Sequence, residues 1–336
     1  MSTFLITGGA GFIGSNFIRY LLGKYPQYRI LNLDKLTYAG NPDNLRAIEA
    51  DPRYQFVRGD IANPELVDHL MNGVEMVVNF AAESHVDRSI MGAEEFMRAN
   101  ALGAYTLLDA ARRHRVGRFL QVSTDEVYGS LAPDEAPWTE ESPLAPRNPY
   151  SVSKAAGDLM ARAFHTTYQL PVLVTRASNN IGPFQYPEKR VPLFITNALE
   201  DLPLPVYGRG RAVRDHLFVT DHCEALDLVL HQGEPSQVYN VGAENDADGV
   251  QIAEQILKML NKPDSLIEYV KDRPGHDLRY ALDCSKIRAL GWKPRHNLQE
   301  ALSRTVEWYR ANESWWRRIK ESAEFRLYYD KQYRKR

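Results

Sequence analysis

The chain has few features of a redox scaffold, a membrane protein or a polyelectrolyte binder. It contains only two cysteines, Cys223 and Cys284, far apart and outside any metal-ligand spacing. That excludes a disulfide framework and a thiolate metal site, and two buried thiols in a reducing compartment are expected. Neither sign of charge dominates: 41 Lys and Arg against 43 Asp and Glu leave a formal net charge of −2. Nucleic acid and anionic membrane are therefore not expected partners, because both select a basic excess. The basic clusters WWRRIK (315–320) and YRKR (333–336) read as a solvated helix face and a frayed tail. No apolar run approaches the roughly 20 residues of a membrane span. No basic region precedes the apolar start, so no signal peptide is expected. These absences lead to the expectation of a cytoplasmic protein without metal.

What remains is an ordinary globular composition, 44% hydrophobic and 25% charged, in 336 residues. Such a chain suits one large or two unequal domains. Short apolar runs (TFLIT, RILNLD, YQFVRGD, MVVNFAA, RFLQVST, PVLVTR) alternate with helix-period segments (SNFIRYLLGKY, PELVDHLM, ALGAYTLLDAARRH, YSVSKAAGDLMARAFHTTY). Strands separated by helices imply right-handed crossovers, hence an α/β fold with a doubly wound parallel sheet of Rossmann type. The segment 131–149 carries five prolines and no period, and reads as a rigid surface loop. Residues 1–178 are expected to form the dinucleotide-binding domain, with 210–243 (RDHLFVTDHCEALDLVL and VYNVG) rejoining its sheet. Residues 179–209 and 244–336 are expected to form a smaller mixed α/β substrate-binding lobe.

Gly8, Gly11 and Gly14 stand at three-residue intervals between a strand and a helix. Glycine there permits a tight turn and close backbone approach, while the helix start presents N–H groups to a pyrophosphate. The flanking strand and helix are the context that gives the glycines meaning. About twenty residues further on, Asp34 ends the second strand, placed to accept from ribose hydroxyls and to repel a 2′-phosphate. NAD is thus favoured over NADP, although neighbouring Lys35 is the kind of residue that greets a phosphate. Asp60 and the stretch NFAAESH (79–85) are expected at the same edge. Tyr150 and Lys154, four apart on one helix face, form a second constellation. A phenol is a poor base at neutral pH. A nearby ammonium and a cationic nicotinamide ring would favour the phenolate.

The glycine pattern, Ser123-Thr124 and Tyr150-x-x-x-Lys154 together resemble the extended short-chain dehydrogenase/reductase superfamily, whose members hold NAD and transiently oxidise a sugar hydroxyl. Directly after Thr124 come two acids, Asp125 and Glu126. Epimerases and simple dehydrogenases have no use for them. A dehydratase does: after C4 oxidation one group removes the C5 proton and another protonates the departing C6 hydroxyl, which two carboxyls of different pKa can divide. Successive side chains on a strand point opposite ways, so this demands a bend at Thr124–Asp125. STDEVYG, with LDKLTYAGN (33–41), AAESHVDRSI (81–90), RASNNIGPFQYPEK (176–189) and DRPGHD (272–277), resembles the family of nucleotide-sugar 4,6-dehydratases acting on dTDP-glucose, over nearly the whole chain.

That resemblance implies Asp125 as the acid at C6, Glu126 as the base at C5, and Tyr150 with Lys154 acting on the C4 hydroxyl steadied by Thr124. It implies NAD contacts from the three glycines and from Phe12, Ile13, Asp34, Lys35, Thr37, Asp60, Ile61, Ala81, Ala82, Tyr150, Lys154 and Asn180. It places the sugar nucleotide against Ser84, Thr124, Asn179, Lys189, Arg190, Tyr207, Arg214, Asn245, Arg273 and His276. Arg214 and Arg273 are also forked donors suited to a diphosphate on chemistry alone. It further implies a homodimer through helices near 100–114 and 150–168 in a four-helix contact. Four places depart from the family pattern: Ala99 for a threonine, Arg190 for an apolar residue, His216 for a tryptophan, and the acidic AENDADG at 243–249. Arg190 and residues 244–248 are expected in the nucleotide pocket and leave the base open between dTDP and another such as UDP. An epimerase or decarboxylase on the same scaffold, and a cofactor-binding scaffold without chemistry, are the alternatives.

Overall fold

The computed structural model describes residues 2–334. Nine of the strands are β1 (Ser2–Thr7), β2 (Tyr28–Asp34), β3 (Tyr54–Arg58), β4 (Met76–Asn79), β5 (Arg118–Thr124), β6 (Val172–Ala177), β7 (Asn179–Ile181), β8 (Leu204–Tyr207) and β9 (Arg214–Phe218). Three more follow: β10 (Val238–Val241), β11 (Asp246–Ala247) and β12 (Ile267–Val270). Seven of them form a parallel sheet in the order β10-β6-β5-β4-β1-β2-β3, the doubly wound arrangement that the alternation predicts. The reversal of direction between β1 and β4 is where such sheets open a crevice at their carboxyl edge.

The helices of this half are α1 (Phe12–Lys24), α2 (Pro64–Met71), α3 (Val86–Met91), α4 (Glu94–Phe96), α5 (Ala104–Arg113) and α6 (Pro149–Tyr168). They are followed by α7 (Arg190–Leu199), α8 (Val219–Gln232) and α9 (Gly249–Leu260). Apolar side chains of α1 and α8 pack on one face of the sheet, and those of α2, α5 and α6 on the other. Covered on both faces, β6 is buried along its whole length, which is why it reads as a nearly continuous apolar run. A separate core joins α7, α9 and the helix Leu298–Ala311 in the smaller lobe.

Three expectations are corrected. Of the region 210–243, α8 and β10 join the main sheet, but β9 pairs with β7 and β11 in a sheet of its own. The reason is local: β7 leaves the main sheet immediately after β6, and β9 follows its partner. The helix near 100–114 begins with a π-helical turn, Met97–Gly103, which turns Asn100 inward to bond Ser153 on α6 and the backbone of Glu83. In WWRRIK, Arg318 is solvated, yet Trp316 is fully buried and donates to the Tyr309 carbonyl. Of YRKR, Lys335 and Arg336 lie outside the described residues.

Helix α6 starts where the sequence dictates. Asn148 caps it by accepting from the Ser151 N–H, Ser151 reciprocates, and Pro149 occupies the first turn. Its far side is fixed by a buried cluster. Arg176 on β6 donates to both oxygens of Asp158 on α6, at 2.8 and 3.2 Å, and to the Tyr128 hydroxyl at 2.8 Å. Tyr128 in turn donates to Asn240 on β10. Arg176 and Asp158 are fully buried, so removing one leaves the other charge uncompensated. Arg176→Met is expected to cost about 3–5 kcal/mol in urea unfolding. Adding Asp158→Leu should recover most of that loss.

Candidate active site

Strand β1 ends at Thr7 and α1 starts at Phe12, so the glycines occupy the connecting turn. Gly8 has φ +70°, and a Cβ there would lie 2.6 Å from the Ala81 nitrogen. A Cβ on Gly14 would lie 2.5 Å from the Gly8 carbonyl oxygen. Only glycine fits either place. No side chain caps the start of α1, which leaves its first N–H groups to an anion. Buried Asp34 accepts from the N–H groups of Ala10 and Leu36, both at 2.8 Å, and so also locks the glycine turn to β2. Lys35 is paired with Asp60 at 3.0 Å, so its ammonium is engaged rather than waiting for a 2′-phosphate.

Every residue expected at the cofactor lines one cavity of about 300 Å³. Buried polar atoms without a protein partner also line it, Ser123 Oγ, Asn179 Oδ1, Gln185 Oε1 and His222 Nε2 among them. A glycine cradle, a free helix start and unpaired polar groups fit a dinucleotide. Ser123, Asn179 and Gln185 all stand in motifs that the sequence offers, although Gln185 is not among the expected site residues, and His222 belongs to no motif. His222 sits on α8, and no local spacing ties that helix to the glycine turn.

The bend that the acid pair demands is present. β5 stops at Thr124 and a 3₁₀ turn, Asp125–Tyr128, follows at once. Thr124, Glu126, Tyr150 and Lys154 line the same cavity. Asp125 is the exception: it is buried behind Thr124, whose hydroxyl donates to Asp125 Oδ1 at 3.2 Å, and it lines neither this cavity nor the one beside it. The turn therefore separates the two acids. Burial and the Glu126 charge push the Asp125 carboxyl well above the carboxylate range. Burial raises Glu126 as well, with Arg273, Arg214 and Lys189 opposing. Burial also raises Tyr150, and Glu126 adds to this while a bond with Thr124 opposes it. Lys154 is lowered to about 8 by burial and donates to the Val122 carbonyl at 2.7 Å. Burial and the acidic Glu126 thus both disfavour the Tyr150 phenolate in this structure.

A second cavity, about 170 Å³, adjoins the first. Glu126, Asn179, Asn180, Gln185, Glu188 and Lys189 line both. Arg190, Tyr207, Arg214, Arg273 and His276 line only the second, while Ser84 faces the first. Asn245 is corrected: it lines neither, because its side chain donates to the carbonyls of His216 and His296. The acidic residues 244–248 are likewise outside both cavities, with Glu244 paired to Arg288 and Asp248 capping α9. Ala99 lines the first cavity.

A carboxyl held above its ordinary pKa costs stability as pH rises. The unfolded chain releases its proton from about pH 4, while the folded chain keeps it. Asp125→Asn removes this penalty. Its urea midpoint should equal the parent's below about pH 4 and exceed it increasingly towards pH 8.

Comparison with known proteins agrees with this geometry. The family described as GDP-mannose 4,6 dehydratase matches residues 5–305. A dTDP-glucose 4,6-dehydratase of Streptomyces niveus is 51% identical over 325 residues, covering 95% of this chain and 96% of the relative. The crystal structure of DesIV, a dTDP-glucose 4,6-dehydratase from Streptomyces venezuelae with NAD and TYD bound, superposes with a TM-score of 0.92 at 49% identity. That match covers 95% of this chain and all (100%) of the other. A UDP-glucuronic acid 4-epimerase from Bacillus cereus, in complex with UDP-glucuronic acid and NAD, shares the fold more distantly. It has a TM-score of 0.86 and 26% identity, with 92% and 99% of the two chains covered. The likeness read from the motifs is borne out, and the chain belongs to the GDP-mannose 4,6 dehydratase family.

Proposed function

We propose that the chain is an NAD-dependent nucleotide-sugar 4,6-dehydratase, a hydro-lyase converting dTDP-glucose to dTDP-4-keto-6-deoxyglucose. One observation carries the reading: Glu126 lines both cavities, beside Tyr150 in one and the arginines in the other, with Asp125 next to it. A hexose seated at that junction meets a phenol and the Glu126 carboxyl, with the Asp125 carboxyl directly behind Thr124, and an epimerase has no task for such a pair. The relatives' names and the NAD in their solved structures support the same reaction.

NAD, held by the glycine turn, Asp34 and the Tyr150–Lys154 edge, supplies the hydride acceptor for C4, the hydride donor for C6, and a positive ring favouring the phenolate. Tyr150 takes the proton of the C4 hydroxyl, with Thr124 steadying that oxygen. The C4 carbonyl makes the C5 proton acidic, and the Glu126 carboxylate removes it. Asp125, kept protonated by burial, gives its proton to the C6 hydroxyl, which leaves as water. For Asp125 to reach that oxygen, the Thr124 hydroxyl bond must yield to the substrate. Glu126 returns a proton to C5, and the proton gained by Tyr150 balances the one lost from Asp125. Lys189, Tyr207, Arg273 and His276, from the unit built from 179–209 and 244–336, hold the sugar nucleotide together with Arg214 at the start of β9, which pairs with strands of that unit.

The same proposal includes a homodimer. Leu102 and Tyr105 next to Val152, Leu159 and Met160 are exposed on the paired surfaces of the 97–113 helix and α6, an apolar face of the kind two copies cover. Cys223 and Cys284 are buried and unpaired, which suits a reducing, cytoplasmic setting.

In deuterated water, dTDP-glucose should yield a 4-keto-6-deoxy product carrying deuterium at C5. Glu126→Gln should still reduce the bound cofactor, seen by absorbance, yet release no 6-deoxy product. Tyr150→Phe should slow both stages at least ~100-fold. An epimerised hexose as sole product would refute the dehydratase. For the dimer, Leu159→Arg should halve the sedimenting mass; a parent already at one-chain mass would contradict the interface.

A further inference from the structure

Arg190 opens α7 and lines the second cavity, yet forms no ion pair among the described residues. Its hydrogen bonds go to His216 Nε2 at 3.1 Å and, weakly, to the Ala212 carbonyl at 3.5 Å. A guanidinium only donates, so His216 Nε2 must be the accepting lone pair. The proton then sits on Nδ1, which lies 3.3 Å from the Asn245 carbonyl oxygen, itself an acceptor. Burial, with the Arg190 charge, lowers His216 to about 3 and holds this neutral form. Asn245 is in turn fixed by its N–H bond to Asp215 at 2.8 Å. The three departures from the family pattern at 190, 216 and 243–249 are therefore one unit. Its product is an oriented guanidinium with N–H groups left over for a ligand.

The order along the cavity indicates which part of the ligand that is. Glu126 marks the hexose end and is influenced by Arg273, Arg214 and Lys189. Arg190 is influenced by Arg214 and Arg273 in turn, and shares its wall with Gly210, Ala212, His216 and Gly249. The diphosphate belongs beside the middle arginines, and the nucleoside reaches Arg190.

We propose that Arg190, oriented by the positioning residue His216, selects the nucleobase by donating to the ring carbonyl oxygen that is O4 in thymine and uracil and O6 in guanine. Thymine, uracil or guanine satisfies that donor; cytosine and adenine, which present an amino group there, are rejected. The inference rests on the nucleotide-sugar reading above.

The test is calorimetric binding of dTDP, UDP, GDP, CDP and ADP to the full chain, with turnover of the corresponding glucose nucleotides. The parent should bind its best carbonyl-bearing nucleotide at least about tenfold tighter than CDP and ADP. Arg190→Leu should bring that ratio to within about twofold and raise KM far more than it lowers kcat. His216→Phe should act in the same direction, and His216→Gln, which keeps an acceptor, should restore the preference. Equal weakening of all five nucleotides would make Arg190 a phosphate holder and overturn the proposal, as would an unchanged preference in Arg190→Leu. Preference intact with no keto product from any glucose nucleotide would uphold this inference while sinking the dehydratase reading.

Discussion

The buried cluster of Arg176, Asp158 and Tyr128 holds the site's parts at fixed distances. It ties α6, which carries Tyr150 and Lys154, to β6 and to the 3₁₀ turn that carries both acids. Three separate elements meet there, and each brings a different chemical group. A charge pair sealed from water is a poor source of net stability but a strict one of geometry, because any misalignment exposes an unpaired ion to a low dielectric. The Asn100 bond to Ser153 adds a second tie to α6 on its other side, through the π-helical turn.

Burial then sorts the ionisable groups. Asp125, Glu126 and Tyr150 all sit where their charged forms are disfavoured, yet their surroundings differ in degree. Glu126 faces three cations across the cavity junction, whereas Asp125 faces mainly its own neighbour and one arginine. Two carboxyls adjacent in sequence thus acquire opposite tendencies, one towards giving a proton and the other towards taking it. The cations of the second cavity keep Glu126 the more acidic of the two.

The smaller lobe shows how a family pattern is altered without loss of architecture. An arginine placed beside a tryptophan would have kept only the long Ala212 carbonyl contact, and a histidine beside an apolar residue would have kept a buried Nε2 without a partner. Present together, Arg190 and His216 satisfy each other, and the segment at 243–249 supplies the remaining carbonyl. The acidic side chains of that segment line neither cavity, although the family resemblance placed them in the nucleotide pocket.

Local grammar determined much of this protein. The strand–helix alternation, the glycine turn, the Asn148-Pro149 start of α6 and the break after Thr124 depend on residues a few positions apart, so they can be read in a line of text. Only the tertiary structure decided what met across the chain: that β9 pairs outside the main sheet, that Lys154 bonds the Val122 carbonyl, that Asp125 lies behind Thr124, that Asn245 lines neither cavity, and that His222 reaches the cleft. Each of those outcomes turns on partners tens of residues distant and on burial, which sets both the acidity of a group and the acceptor it finds. Neither is encoded in spacing.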